Sequence, residues 1–549
     1  MSTLPLMLAH FPAPWLASTA CLSFGFLVAW HKFCQLPPFW LKQLDSLGQS
    51  RKHALPGTAI VCGGSIAGLV AARICADHFE RVIIVDPEIQ DSEKPKTRIM
   101  QYNASHVFLT LFVNGARRLW PNFDSEVENA GGRAVLSDLQ VHYSGVPLLT
   151  PHKDRTIAGS RATIQRVLHR LLLQHPSSAK ITVMAGTVRG VSASDDINLS
   201  SIHSVKVRQL DGTHISLNDA SLVVDCTGRT QAGYKWLKAA GFSVADIRSC
   251  YDGNLRYLTV NFTVPPELAA RFQIPEEHTK SSSIYGYIPD DDTTSCLFAL
   301  FFTGNNTMQL VFGETANTDM PRTAAEIIPF IKQYQKVIKP IPSWVIEVIE
   351  LLCEHGNPSF DVLSLATLSF LRYDHMPVNS LPSNFIALGD ASLTLNPIHG
   401  QVPLCLHTST STSVLNDFLR QGFAKIIMNG MTLNSLLHEI DAGGCGSTPR
   451  LPINIAARYF KNSARTMVSL WDSTRLNDYG LTACEPMDGE TKDTGRFTRW
   501  VSKKLISAAS QHPDVASALW SVRHMLAAER ALLAPVIIWK ILWTPSLFT

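Results

Sequence analysis

Three short stretches of this chain set glycine beside an acid or a hydroxyl directly after an apolar run. The first is Gly63-Gly64-Ser65-Ile66-Ala67-Gly68, and Asp86 follows Gly68 by eighteen residues. The second is Asp225-Cys226-Thr227-Gly228, and the third is Gly389-Asp390-Ala391, which leads into Asn396-Pro397-Ile398-His399-Gly400-Gln401. Glycines let a backbone turn tightly and approach a pyrophosphate, a helix start offers unpaired N–H groups to it, and an acid some 20 residues on accepts ribose hydroxyls. The chemistry indicated is dinucleotide binding. Gly63-x-Ser65-x-Ala67 also permits a nucleophile elbow, with Ser65 attacking an acyl group. That alternative leaves Asp86 unexplained and lacks the earlier strands that normally precede an elbow.

The surrounding pattern supplies the elements these residues need. Residues 58–62 form an apolar run, 69–78 read as a helix, and 81–86 form a second buried strand ending in acid. Residues 221–225 and 384–388 repeat the strand-then-turn form, so one nucleotide domain is expected, interrupted by insertions. Between them the period changes to two. Leu258, Val260, Phe262 and Val264 alternate, and 283–288, 296–302 and 308–312 add strand candidates around the turn-rich Asp290-Asp291-Asp292 and Gly304-Asn305-Asn306. The final third is mostly helical by pattern.

Composition narrows the function. The 549 residues are 46% hydrophobic and 17% charged with a net charge of +3, which excludes disorder and gives no phosphate-neutralising surface, so nucleic acid is set aside. The 11 cysteines include no C-x-x-C pair and form no metal-ligand grouping with the 19 histidines, so no metal is expected. Apolar residues gather at both ends. Residues 11–30 hold no Lys, Arg, Asp or Glu, Trp15 and Trp30 bracket them, and Lys32, Lys42, Arg51 and Lys52 follow. About 20 helical residues span ~30 Å, so a single N-terminal membrane anchor is expected, with the body on the cytoplasmic side and, in a eukaryote, at the endoplasmic reticulum. The stretch around Val536 to Trp543 reads either as an interfacial segment or as a helix docked on the core.

The order of the three glycine motifs resembles that of single-component flavoprotein monooxygenases, and is closest to a squalene-epoxidase-like branch of secondary metabolism. Arg98-x-Met100-Gln101 with His106, Ser160-Arg161-x-x-Ile164-Gln165 and the tail from Asp514 extend the resemblance from about Thr58 to the C-terminus. It implies an α/β fold: a Rossmann-like FAD domain of the glutathione-reductase type, interrupted by an antiparallel substrate sheet, with a helical C-terminal region and terminal membrane segments. The expected layout is 1–52 anchor and linker, 57–250 FAD domain with an insertion near 100–155, 251–380 substrate sheet, 381–420 third FAD segment and 421–549 helical region.

Carried over, Gly63, Gly64, Gly68 and Asp86 hold the AMP half of FAD, and Arg161 reaches its ribose or pyrophosphate. Gly228 belongs to the second motif and Asp390 orders the ribityl chain. Pro397 and Gly400 approach the flavin's pyrimidine edge, while Gln101 and His106 face the pocket. FAD is the implied cofactor and NAD(P)H the co-substrate, with a lipophilic terpenoid or polyketide-like molecule epoxidised or hydroxylated at a membrane. The chain departs from this branch at His399, where Tyr is usual, and at Val402, where the motif has Gly. A flavin reductase or dehydrogenase without oxygen chemistry, and a flavin-free cyclase or binding scaffold on the same fold, remain alternatives.

Overall fold

A computed structural model describes residues 13–151, 155–193, 201–289, 297–304, 306–315, 319–333, 339–377, 380–396, 422–440 and 451–547. At its centre lies a five-stranded parallel sheet, in the order Phe385–Ala387, Ala220–Asp225, Leu55–Cys62, Phe79–Val85, Ile181–Met184. These strands are apolar runs rather than alternating ones because both faces are covered. Helix Ile66–His78 connects strand Leu55–Cys62 to strand Phe79–Val85 and is buried along almost its whole length, with helix Gly422–His438 packed against it.

The register is the feature that builds a site. Cys62 pairs with Val85 and with Asp225, Val85 with Met184, and Asp225 with Ala387. All five strands therefore end on one line, and the residues just past it face one crevice, where ligands of open α/β sheets bind.

A seven-stranded sheet, dominated by antiparallel pairs, forms the second layer around the long strand Arg248–Thr263. Its expected alternation is present: Leu258, Val260 and Phe262 are buried in a core shared with helices Ala324–Gln333 and Ser343–His355. The candidates at 283–288, 296–302 and 308–312 correspond to strands Ser283–Ile288, Leu297–Gly304 and Thr307–Thr315. The acidic run Asp290–Asp292 lies outside the described residues.

The membrane anchor is a misreading. The apolar stretch lies in a 23-residue helix, Ala13–Gln35, yet among the described residues no helix is long and apolar enough to cross a membrane. Ser18, Thr19, Ser23 and Gly25 dilute its apolarity, and the helix runs on through His31 and Lys32. With the anchor fall the orientation and the endoplasmic-reticulum placement that depended on it. The end of this helix meets the C-terminal segment, while residues 22–29 stay exposed. Trp30 Nε1 donates to the Leu533 carbonyl at 2.9 Å, and Arg530 donates to the carbonyls of Phe33 at 3.0 Å and Leu36 at 2.8 Å. Cys34 shares a buried cluster with Leu532, Ile537 and Ile541. The nine-residue helix Pro535–Trp543 is thus docked, leaving Leu22, Phe24, Phe26, Trp539 and Trp543 exposed on the outer side.

The C-terminal helices are fastened to the sheet layer by a buried ion pair. Arg523 donates to Asp138 at 2.7 Å, with His524 beside it, and burial of the carboxylate is outweighed by the two neighbouring bases, which hold Asp138 well below the usual carboxylate range. Removing one partner strands the other charge in the interior, a loss of about 3–5 kcal/mol. Arg523→Met should therefore lower the chemical-denaturation midpoint sharply, whereas Arg523→Met with Asp138→Leu should recover much of the loss.

Candidate dinucleotide and redox site

The first turn past the strand ends is shaped by close backbone approach. Gly63 has φ +116°, and a Cβ there would stand 2.5 Å from the Cys226 carbonyl oxygen. A Cβ on Gly68 would stand 1.8 Å from the Gly63 carbonyl oxygen, so helix Ile66–His78 rests directly on the turn. Asp86 locks this arrangement: its carboxylate accepts the Gly64 N–H at 3.0 Å and the Glu88 N–H at 2.8 Å. Burial raises its pKa, and the two N–H donors restrain that rise. Carboxylate oxygens accept more than one bond each, so Asp86 retains acceptor capacity toward the cavity it lines.

The second turn is held by a carboxylate to which the resemblance gave no role. Asp225 accepts the Thr227 N–H at 2.9 Å, the Thr227 hydroxyl at 2.7 Å and the Gly233 N–H at 2.8 Å, with burial pushing it up to about 6. It fixes the path of Cys226 to Gly228 across the crevice.

Arg161 opens helix Arg161–Gln174, where Ser160 caps the first turn by accepting the Thr163 N–H at 3.0 Å. Its side chain donates to Ser65 Oγ at 3.1 Å and to Gln165 Oε1 at 3.3 Å, and the residue is 9% exposed. Burial lowers its pKa to about 10, partly offset by Asp390 and Tyr102. A buried guanidinium bonded to two neutral side chains is short of an anion. Ser65, at the N-cap of the thirteen-residue helix Ile66–His78, makes no side-chain bond to the first turn, so that turn's N–H groups supply the same crevice. Ser65 Oγ bonds Arg161 and Gln165 rather than a histidine, which removes the elbow's base among the described residues.

Two adjoining chambers result. The larger, about 520 Å3, is lined by Gly63, Gly64, Asp86, Glu88 and Lys96. The smaller, about 120 Å3, is lined by His106, Leu395, Asn396, Phe423, Lys425 and Ile426. Ser65, Gln101, Arg161, Cys226, Gly228 and Asp390 border both. Of the residues singled out from the sequence, Gly63, Gly64, Asp86, Arg161, Gly228, Asp390, Gln101 and His106 all meet here, and Gly68 lies behind the turn. Pro397 and Gly400, together with His399 and Val402, lie outside the described residues. The His106 ring bonds the Ala104 carbonyl through Nδ1 at 2.7 Å and packs 5.1 Å from Phe423.

Sequence reasoning missed Lys425 and the buried network behind Asn396. Asn396 donates to Asp478 at 2.8 Å and accepts from Tyr257 at 2.7 Å, while Tyr251 donates to Asp478 at 2.6 Å. The only available signal was a single Lys within the otherwise largely apolar run 422–438, and the Asn that precedes Pro397.

No protein-family profile and no curated protein matches this chain. Solved structures do. The flavin-dependent brominase Bmp2 is similar with a TM-score of 0.54 and 12% identity, covering 89% of this chain and 98% of that one. A variant of P. aeruginosa PqsL is similar with a TM-score of 0.51 and 16% identity, covering 81% and 98%. The α/β fold of this chain is thus shared with these two solved structures. The residues of this chain fit the FAD that the sequence resemblance implies: an anion-seeking Arg161 and an open helix start where the two chambers meet, an acid at one end, and a second chamber at the other.

Two outcomes follow from this geometry. Arg161→Met should weaken binding of FAD or ADP at least tenfold by equilibrium titration, yet raise ligand-free stability by about 1 kcal/mol, because a poorly compensated buried charge is gone. Asp478 should give a pH signature, since burial raises it to about 7. A raised carboxylate binds its proton more tightly in the folded state, so stability falls as pH rises from ~4 to ~7, by up to roughly 4 kcal/mol. Asp478→Asn should flatten that slope in denaturation curves taken across the window.

Proposed function

We propose that the chain is an FAD-dependent monooxygenase that uses NAD(P)H and O2 to epoxidise or hydroxylate a lipophilic, terpenoid- or polyketide-like molecule. The observation that carries this reading is the buried Arg161 at the junction of two chambers, aligned with the open start of helix Ile66–His78 and bonded only to neutral Ser65 and Gln165 among the described residues. A pyrophosphate belongs at that junction. The adenosine half then extends toward Asp86 and the other half into the smaller chamber.

Each residue has a task in this scheme. The backbone at Gly63 and Gly64, with Arg161, binds the pyrophosphate; Asp86 accepts hydrogen bonds from ribose hydroxyls; Asp390 accepts from the ribityl chain. Bound there, FAD supplies a hydride acceptor and a centre that activates oxygen. The smaller chamber's Leu395, Phe423 and Ile426 exclude water, and Gln101, His106 and Asn396 offer it a few polar contacts. That mixture suits the flavin half that enters the chamber, while the greasy nature of the substrate is taken from the motif resemblance.

The decisive experiment is spectroscopic. The purified protein should be yellow or become so with FAD, and should oxidise NAD(P)H with stoichiometric O2 uptake in the presence of a lipophilic acceptor. A protein that stays colourless with added FAD overturns the redox reading. One that reduces an acceptor anaerobically is a reductase.

A further inference from the structure

Helix Gly422–His438 is buried and mostly apolar, but two of its polar side chains, one turn apart, reach the same turn past the sheet. Asn429 Oδ1 accepts the Gly389 N–H at 3.1 Å. Lys425 Nζ donates to Asp390 Oδ1 at 2.7 Å and to the Leu393 carbonyl. The Lys425 side chain is 1% exposed, whereas that of Asp390 is 36% exposed and opens onto both chambers. Burial would push the Asp390 carboxyl up, but Lys425, with Arg229 and Arg161 farther off, holds it below the usual carboxylate value.

An ionised carboxylate at this point is a difficulty for the proposed cofactor. Asp390 borders the same junction as Arg161, where a pyrophosphate carries two negative charges, and like charges in a poorly solvated site repel strongly. We propose that Lys425 is the internal counter-ion of Asp390: it offsets the carboxylate's charge so that a phosphate-bearing flavin can bind while Asp390 stays ionised to accept sugar hydroxyls. This rests on the reading of the site as an FAD site. Lys425 is a positioning residue, acting on the cofactor through Asp390.

The charge argument makes a prediction that packing does not. FAD and riboflavin share the ribityl chain and the ring but differ in the pyrophosphate, so the ratio of their affinities isolates the electrostatic effect. The full-length protein, freed of flavin, is titrated with each ligand by flavin fluorescence. Lys425→Met, which takes away the cation bonded to Asp390 and leaves only the more distant Arg229 and Arg161, should lower the preference for FAD over riboflavin at least tenfold. Asp390→Asn, which leaves Lys425 unopposed, should raise it. The double variant Lys425→Met/Asp390→Asn should return near the native ratio, and Lys425→Arg should keep it within about threefold. Circular dichroism reports folding of each variant, and Asp390→Asn alone decides the matter if Lys425→Met does not fold. Parallel loss of both ligands, or an unchanged ratio in Asp390→Asn, overturns the counter-ion. Failure of the native protein to bind either flavin overturns the FAD reading, and this inference with it.

Discussion

Parallel pairing in a common register is what the rest of the molecule hangs on. The ladder continues past the strands themselves: Gly63 N–H bonds the Val85 carbonyl at 2.8 Å, Cys226 N–H that of Cys62 at 2.9 Å, and Leu388 N–H that of Asp225 at 2.9 Å. Three chain segments separated by long insertions are thereby turned at the same height. Each turn then needs its own lock, since a backbone leaving a sheet loses its regular partners. Asp225 locks its turn from the end of its own strand and Asp86 locks the Gly63-Gly64 turn from just past the neighbouring strand, while the turn at Gly389 borrows Asn429 and Lys425 from a helix.

This division explains the polar content of an otherwise apolar centre. A buried carboxylate costs free energy unless it is bonded. Asp225 has three donors, Asp390 has a lysine, and Asp138 has Arg523. Among the described residues Asp478 has two neutral donors and is pushed up to about 7, and Asp225, whose three donors are also neutral, to about 6, whereas the cations beside Asp390 and Asp138 hold those two down. Charged residues line the larger chamber and its border with the smaller one, whose wall adds Leu395, Phe423 and Ile426.

The strand-and-turn skeleton was legible because its signals are local: apolar runs of strand length, glycines, and an acid at the expected distance. Gly63, Gly64, Asp86 and Asp390 could be named from such patterns and Arg161 from the motif resemblance, and all five border one crevice. Lys425 could not, because its significance comes from a contact across 35 residues with a turn on another element. Asp478 likewise meets Asn396 over 82 residues and Tyr251 over 227. The N-terminal helix failed for a related reason. The contacts that the end of this helix makes through Trp30 and Phe33 with Leu533 and Arg530, some 500 residues away, are invisible to a window of about 20 residues.

The long strand Arg248–Thr263 joins two environments that otherwise have little contact. On one face Tyr251 and Tyr257 hold the network around Asn396; on the other, Leu258, Val260 and Phe262 seat the outer helices. Because successive side chains of a strand are rigidly opposed, the strand behaves as a beam pinned at both faces. A shift in how helix Ser343–His355 seats on it would tilt Tyr257 and so reach the rim of the smaller chamber without passing through any loop. Diversification of the outer helices is thus a mechanical route by which chamber shape can be retuned while every residue at the strand ends stays in place.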